Sequence, residues 1–197
     1  PYTKTHNIIT VLQTLEIQTS TKLSLQFLIL TASRQKEVLN ARWDEIDFNL
    51  NKWVVPASRM KAGKEHEVPL SEQALKILQD AKLNDGDSPL LFPSSTTGKP
   101  LSDNTLRLVL QKRLQLDTTT HGLRSSFKDW ASETTHYPTE VSEMALAHSI
   151  PNAVEAAYRR GNLFEKRRQL MNDWAAYLYG QQSDCLLYTS PSPRDTG

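Results

Sequence analysis

Cysteine is all but absent from the sequence: one residue in 197, Cys185. A lone thiol closes no internal disulfide, which excludes a secreted, stapled scaffold and fits a reducing cytosol. No apolar run approaches the ~18 residues of a transmembrane helix. No charged-then-apolar leader marks a secretory signal, and no repeat recurs at a fixed period. There is no Cys/His ligand spacing and no acidic trio, so neither a metal nor another cofactor is expected. Net charge is nearly absent too, with 23 Lys+Arg against 22 Asp+Glu. A total of +1 reads at first as evidence against a nucleic-acid partner, but a mean hides its distribution. What is present is length. At ~150 residues per domain, the chain makes one large domain, or one domain and a fragment, able to bury a core without staples.

The two ends carry expectations of their own. Pro1-Tyr2-Thr3 lacks an initiator Met, so upstream domains are expected to be missing. The string from Cys185 to Asp195, rich in Ser and Pro near its end, resembles one reading frame of a transposase-type sequencing-library adaptor. Residues 185–197 are therefore expected to be a non-native tail, and residues 1–184 a natural, cysteine-free part whose net charge is still +1.

Apolar spacing suits helices across residues 6–32, through Ile8, Ile9, Leu12 and Leu15, then Leu23, Leu25, Leu28 and Ile29. It continues as a short amphipathic helix from Arg34 to Trp43. Ile46–Phe48, Trp53–Val55 and Glu67–Pro69 read as three short strands, broken at Asn49, Asn51 and the Lys61-Ala62-Gly63-Lys64 turn. Ser71 caps a helix to about Lys82, and Ser102 or Asp103 starts another reaching about Leu114. Further helices are predicted from about Gly122 to Glu133, from Glu140 to His148 and from Phe164 to Leu178, with a short one after Pro151 that holds Tyr158. The expected fold class is mainly α with a small three-stranded antiparallel sheet.

Charge is segregated along the chain. Lys99, Arg107, Lys112, Arg113, Arg124 and Lys128 stand against two acids in residues 99–128, whereas residues 129–155 hold five acids and no Lys or Arg. A mixed solvated surface is the ordinary reading, but such segregation also permits a basic face at near-zero total charge. Four local patterns then matter, each with a plain structural alternative. Arg34, three residues before Glu37 at a helix start, is an anion ligand or a surface ion pair. Lys61 sits in a β-turn, where lysines are usually just solvated. His121 and Arg124, at i and i+3 of a helix start, share a face where backbone N–H groups favour an anion. His148 and Tyr158 lie ten residues apart, and such residues on helices are ordinarily core packing.

The order of these patterns (Arg, turn Lys, His-x-x-Arg, His, then Tyr) is similar to the catalytic domain of the tyrosine recombinase, or phage integrase, family. The likeness runs from about Phe27 to Leu178. Its segments are Phe27–Arg34, Val68-Pro69-Leu70-Ser71, His121-Gly122-Leu123-Arg124, Met144–His148 and Ala157–Gly161. The stretch Lys166–Trp174 resembles integrases of satellite prophages and genomic islands. One departure is Ser33, where the family often has Gly. The resemblance implies the DNA breaking-rejoining fold and a catalytic set of Arg34, Lys61, His121, Arg124, His148 and Tyr158. In that set Tyr158 is the nucleophile, His121 the base and Lys61 the acid for the leaving 5′-oxygen, while His148 hydrogen-bonds a phosphate oxygen. It also implies double-stranded DNA attachment sites as partner, a tetramer on DNA, host DNA-bending and excision factors, and a cytoplasmic, nucleoid-associated protein of bacterial or prophage origin with no membrane contact.

The chemistry agrees with these residue types. A phosphodiester is an anion and its attack gathers further charge, so without a metal positive side chains must stabilise it. Two arginines can fork onto non-bridging oxygens, which lysine does poorly. Lys64 competes with Lys61 for the acid role, and Tyr177 and Tyr179 compete with Tyr158 but are expected to pack. Trp43, Trp53, Trp130 and Trp174 are expected in the core, Tyr137 to be structural, and His66 and His136 to be ordinary. Glu37 orients Arg34 or merely pairs with it at the surface. Two other functions compete with recombination: type IB topoisomerase relaxation, and a catalytically idle DNA-binding relative.

Overall fold

One helix is buried on nearly every side. Leu23, Leu25, Phe27, Leu28, Ile29 and Leu30 are all buried along α2 (Thr19–Thr31), as are Thr21, Ser24, Gln26 and Thr31, so this helix runs through the core. The structure is a computed structural model that describes residues 2–84, 87–148 and 163–180. Around α2 pack α1 (Thr5–Thr14), α3 (Gln35–Leu39), α4 (Glu72–Asn84), α5 (Asp103–Leu108), α6 (Thr120–Thr134) and α8 (Phe164–Leu178), with α7 (Thr139–Ala145) against α6 and α8. Three strands, β1 (Ile46–Asp47), β2 (Lys52–Val55) and β3 (His66–Pro69), form an antiparallel sheet in the order β1-β2-β3. Trp53 pairs with Val68 and Val55 with His66, so these residues share the inward face.

Aromatic rings join the layers. Phe27 meets Trp53 and Phe92 at centroid distances of 5.4 and 5.5 Å, seating the sheet on α2. On the other side Trp130 and Trp174 stand 5.0 Å apart with Phe127 and Tyr177 beside them. Trp174 Nε1 donates to the Ile29 carbonyl at 2.8 Å, which ties α8 to α2. Trp53, Trp130 and Trp174 are fully buried as expected; Trp43 is half-buried, under Lys82 Nζ at 4.9 Å from its ring centroid. Tyr177 stacks on Trp174, and the Tyr137 hydroxyl donates to Asp173 Oδ2 at 2.7 Å, so both are packing residues.

The element boundaries depart from the sequence reading in four places. The helix after Arg34 ends at Leu39, because Arg42 bridges to Leu90 and Trp43 N–H donates to the Pro89 carbonyl, drawing the chain out straight. Phe48 lies outside β1 and is exposed. The helix from Asp103 changes to one π turn at Val109–Arg113 rather than continuing to Leu114. The helix predicted to reach His148 stops at Ala145, and Ala147 takes a positive φ of 51° that turns the chain. The short helix predicted after Pro151, with Tyr158, lies outside the described residues, as does the 185–197 tail. Among the described residues no helix is long and apolar enough to cross a membrane.

Candidate active site

Arg34 is the residue before the first turn of α3, with extended backbone. Glu37 three residues on accepts both from the Arg34 N–H and from its Nη1, each at 2.9 Å. Only 5 % of Glu37 is exposed, so this is a buried clamp that orients Arg34 and not a surface pair. A layer beneath it was not legible in the sequence. Arg59 Nη1 donates to the Glu37 carbonyl at 2.9 Å and Nη2 pairs with Glu45, which also accepts from Trp53 Nε1 at 2.9 Å.

Arg124 enters from α6, whose start is fixed by the Thr119 hydroxyl accepting from Gly122 N–H at 3.1 Å. Arg124 is 5 % exposed and reaches two carbonyls, Ala32 at the end of α2 and Leu146 after α7, the latter at 2.8 Å. Burial, with the charge of Arg34 beside it, pulls its pKa down to about 10, so it stays charged at neutral pH while lacking a full counter-charge. Two guanidinium groups near one carboxylate make a site that an arriving anion would stabilise.

His121 stands one turn before Arg124 on α6 and is exposed. Lys61 is exposed on the turn between β2 and β3, closed by Gly63 N–H donating to the Met60 carbonyl at 3.0 Å. Gly63 has φ +63°, the left-handed conformation that glycine adopts without steric cost. Arg34, Lys61, His121 and Arg124 all line one open cleft of about 600 Å³, together with Arg59 and Thr120. Lys64 is not among its lining residues.

His148 follows the turn at Ala147 and lies beyond that lining. Its Nδ1 is 2.6 Å from Glu143 Oε2, and Glu143 Oε1 pairs with Lys128. Burial lowers the His148 pKa, as do the charges of Arg124, Arg34, Lys128 and His121. Tyr158 lies outside the described residues.

His66, read from the sequence as ordinary, is brought behind the site. It uses the Ala145 carbonyl as partner, and burial with the charge of Arg167 pushes its pKa down to about 4. The signal was the two-residue period of β3, since His66 shares a face with buried Val68. His136 is exposed and apart from these residues, in accord with its ordinary reading.

Comparison with known proteins gives a consistent result. The model for the phage integrase family matches residues 2–163. Prophage integrase IntA of Escherichia coli (strain K12) is 38 % identical over 181 residues, covering 90 % of this chain and 43 % of its own length. The integrase of Enterobacteria phage P4 is 35 % identical over 176 residues, covering 80 % and 40 %. The chain thus spans about two-fifths of the curated relatives it matches. Among solved structures, the integrase from mycobacterium phage Brujita aligns with a TM-score of 0.65 at 15 % identity, over 85 % of this chain and 55 % of that one. A lambda integrase dimer bound to a COC′ core site aligns with a TM-score of 0.56 at 20 % identity, over 76 % and 55 %.

Proposed function

Because the chain belongs to the phage integrase family, we propose that it cuts and rejoins DNA at specific sites through a 3′-phosphotyrosyl intermediate, as the integrase of a bacterial mobile element. The observation that carries this reading is the convergence of Arg34, Lys61, His121 and Arg124 on one cleft. Arg34 and Arg124 hold the non-bridging oxygens of the scissile phosphate, a clamp whose loss costs ~3 kcal/mol or more of transition-state stabilisation. The Tyr158 oxygen attacks phosphorus and gives its proton to His121. The bond from phosphorus to the 5′-oxygen breaks, and Lys61 protonates that oxygen. His148 hydrogen-bonds a phosphate oxygen. The covalent ester conserves the bond energy, so the 5′-hydroxyl of a partner strand reverses the sequence without ATP.

On this reading residues 1–184 are the catalytic domain and residues 185–197 a foreign tail, while a core-site-binding module belongs to the remaining length of the protein. The lambda structures include a dimer on a core site and a tetramer on a Holliday junction, and the same partners, duplex DNA and further copies of the chain, are proposed here. Host DNA-bending and excision factors and a place on the nucleoid belong to the same proposal.

A nicked suicide duplex carrying the element's own attachment site tests it. The expected product is a covalent protein–DNA adduct followed by strand exchange, and Tyr158→Phe should retain DNA binding and lose the adduct entirely. Adducts that persist in Tyr158→Phe overturn the choice of nucleophile. An adduct with relaxation alone means a topoisomerase, and binding with no adduct means an idle DNA-binding relative.

A further inference from the structure

Among the described residues Glu143 is the acid paired with His148, and nothing in the proposed reaction uses it. Its carboxylate stands between two elements, taking Lys128 of α6 on Oε1 and His148 Nδ1 on Oε2, the latter at 2.6 Å. The backbone repeats the link, because His148 N–H donates to the Glu143 carbonyl at 2.9 Å. The Glu143 side chain is 22 % exposed and the His148 ring 40 %, so the contact is partly shielded from water.

An ionised carboxylate can only accept a hydrogen bond. His148 Nδ1 must therefore carry a proton, and the neutral ring has a bare Nε2 that accepts and cannot donate. Only the imidazolium presents an Nε2–H to a phosphate oxygen. Among the described residues, Arg124 and His121 of α6, Arg34 at the start of α3, and Lys128 face His148 and disfavour the charged ring, while the Glu143 carboxylate lies against Nδ1. Lys128 shares that carboxylate and dilutes its effect.

We propose that Glu143 is a positioning residue that fixes His148 as the Nδ1-protonated ring and poises it to become an imidazolium when the phosphodiester binds. The inference rests on the reading of His148 as a phosphate-facing group. The incoming anion offsets the surrounding cations, so the ring takes up a proton on binding and donates from Nε2. Lys128 sets how much of the carboxylate His148 receives.

Nitrogen-15 spectra of the full chain with labelled histidine, His148 being assigned by its loss in His148→Gln, test this without reference to cleavage. The native protein should show His148 protonated at Nδ1. Glu143→Gln should shift the neutral ring toward the Nε2-protonated form and lower its proton affinity about tenfold, one pH unit. Lys128→Gln should raise that affinity, the opposite sign, and serves should Glu143→Gln fail to fold. With the nicked duplex, the falling alkaline limb of adduct formation should move about one pH unit lower in Glu143→Gln. An unchanged His148 tautomer and titration in Glu143→Gln, or a loss of rate equal at every pH, overturns the proposal. A native protein that forms no adduct but shows the spectral responses sinks the recombinase reading and leaves the coupling standing.

Discussion

Arg34 and Arg124 repel each other, and the buried Glu37 pairs with the first and opposes the repulsion felt by the second. That imbalance favours an anion in the cleft, as the proposed reaction requires. The pairing of Arg34 with Glu37 was legible as a three-residue spacing, but its burial was not. Arg59, twenty-two residues further on, reaches back to the Glu37 carbonyl, a contact that no local spacing shows. Lys64 competed with Lys61 in the sequence, where the family resemblance favours Lys61, and of the two Lys61 lines the cleft. Lys61→Ala should cut the rate of adduct formation at least a hundredfold. A duplex with sulfur replacing the scissile 5′-oxygen should restore it, because a thiolate leaves without a proton. Lys64→Ala should stay within a few-fold of the parent. Rescue of Lys64→Ala and not of Lys61→Ala would move the acid to Lys64.

The helices and strands were mostly readable, because each owes its existence to local periodicity. Apolar spacing marked α2, α4 and α8, and the three short β-like runs became the three strands. The errors fall where a distant contact outweighs that periodicity. Trp43 leaves the helix for the Pro89 carbonyl, and Ala147 breaks the run toward His148. The latter break has a purpose in the site. It frees the Leu146 carbonyl to receive Arg124 and turns His148 back onto Glu143. Ala147 holds φ 51°, a conformation that costs an L-residue ~1 kcal/mol or more and glycine nothing. Ala147→Gly should therefore raise the free energy of unfolding by about 0.5 kcal/mol, the glycine losing part of the gain to its freer unfolded chain. Urea titration with an unchanged slope would measure it, and a destabilised variant would refute the strain.

At the scale of the whole molecule, His66 makes acid a destabilising direction. His66 is held neutral, with a folded pKa of about 4 against 6.5 when unfolded. Between those values the unfolded chain binds the extra proton. Stability is fully present above about pH 6.5 and falls as pH drops toward 4, by up to about 3 kcal/mol from this one group. Urea midpoints at pH 7 and pH 4.5 should show that loss, and His66→Asn should show less of it. An equal acid loss in the variant would assign the sensitivity to other groups. The near-zero net charge has the same whole-molecule character, since the cations gathered in the cleft are offset by acids elsewhere and the total says little about the face proposed to meet DNA.

The sequence by itself determined the inventory: a mainly helical chain with a small sheet, and the order Arg34, Lys61, His121, Arg124, His148 of groups suited to a phosphate. Side-chain chemistry and the 3.6- and 2-residue periods are local properties, so they survive without a fold. Only the tertiary structure decided which of these groups share a cleft, that Glu37 is buried in its wall with His66 behind it, and that Glu143 holds His148. Those facts hang on contacts between residues far apart in the chain, such as Arg124 with the Ala32 carbonyl, and they exist only once α2 is buried and the other elements close around it.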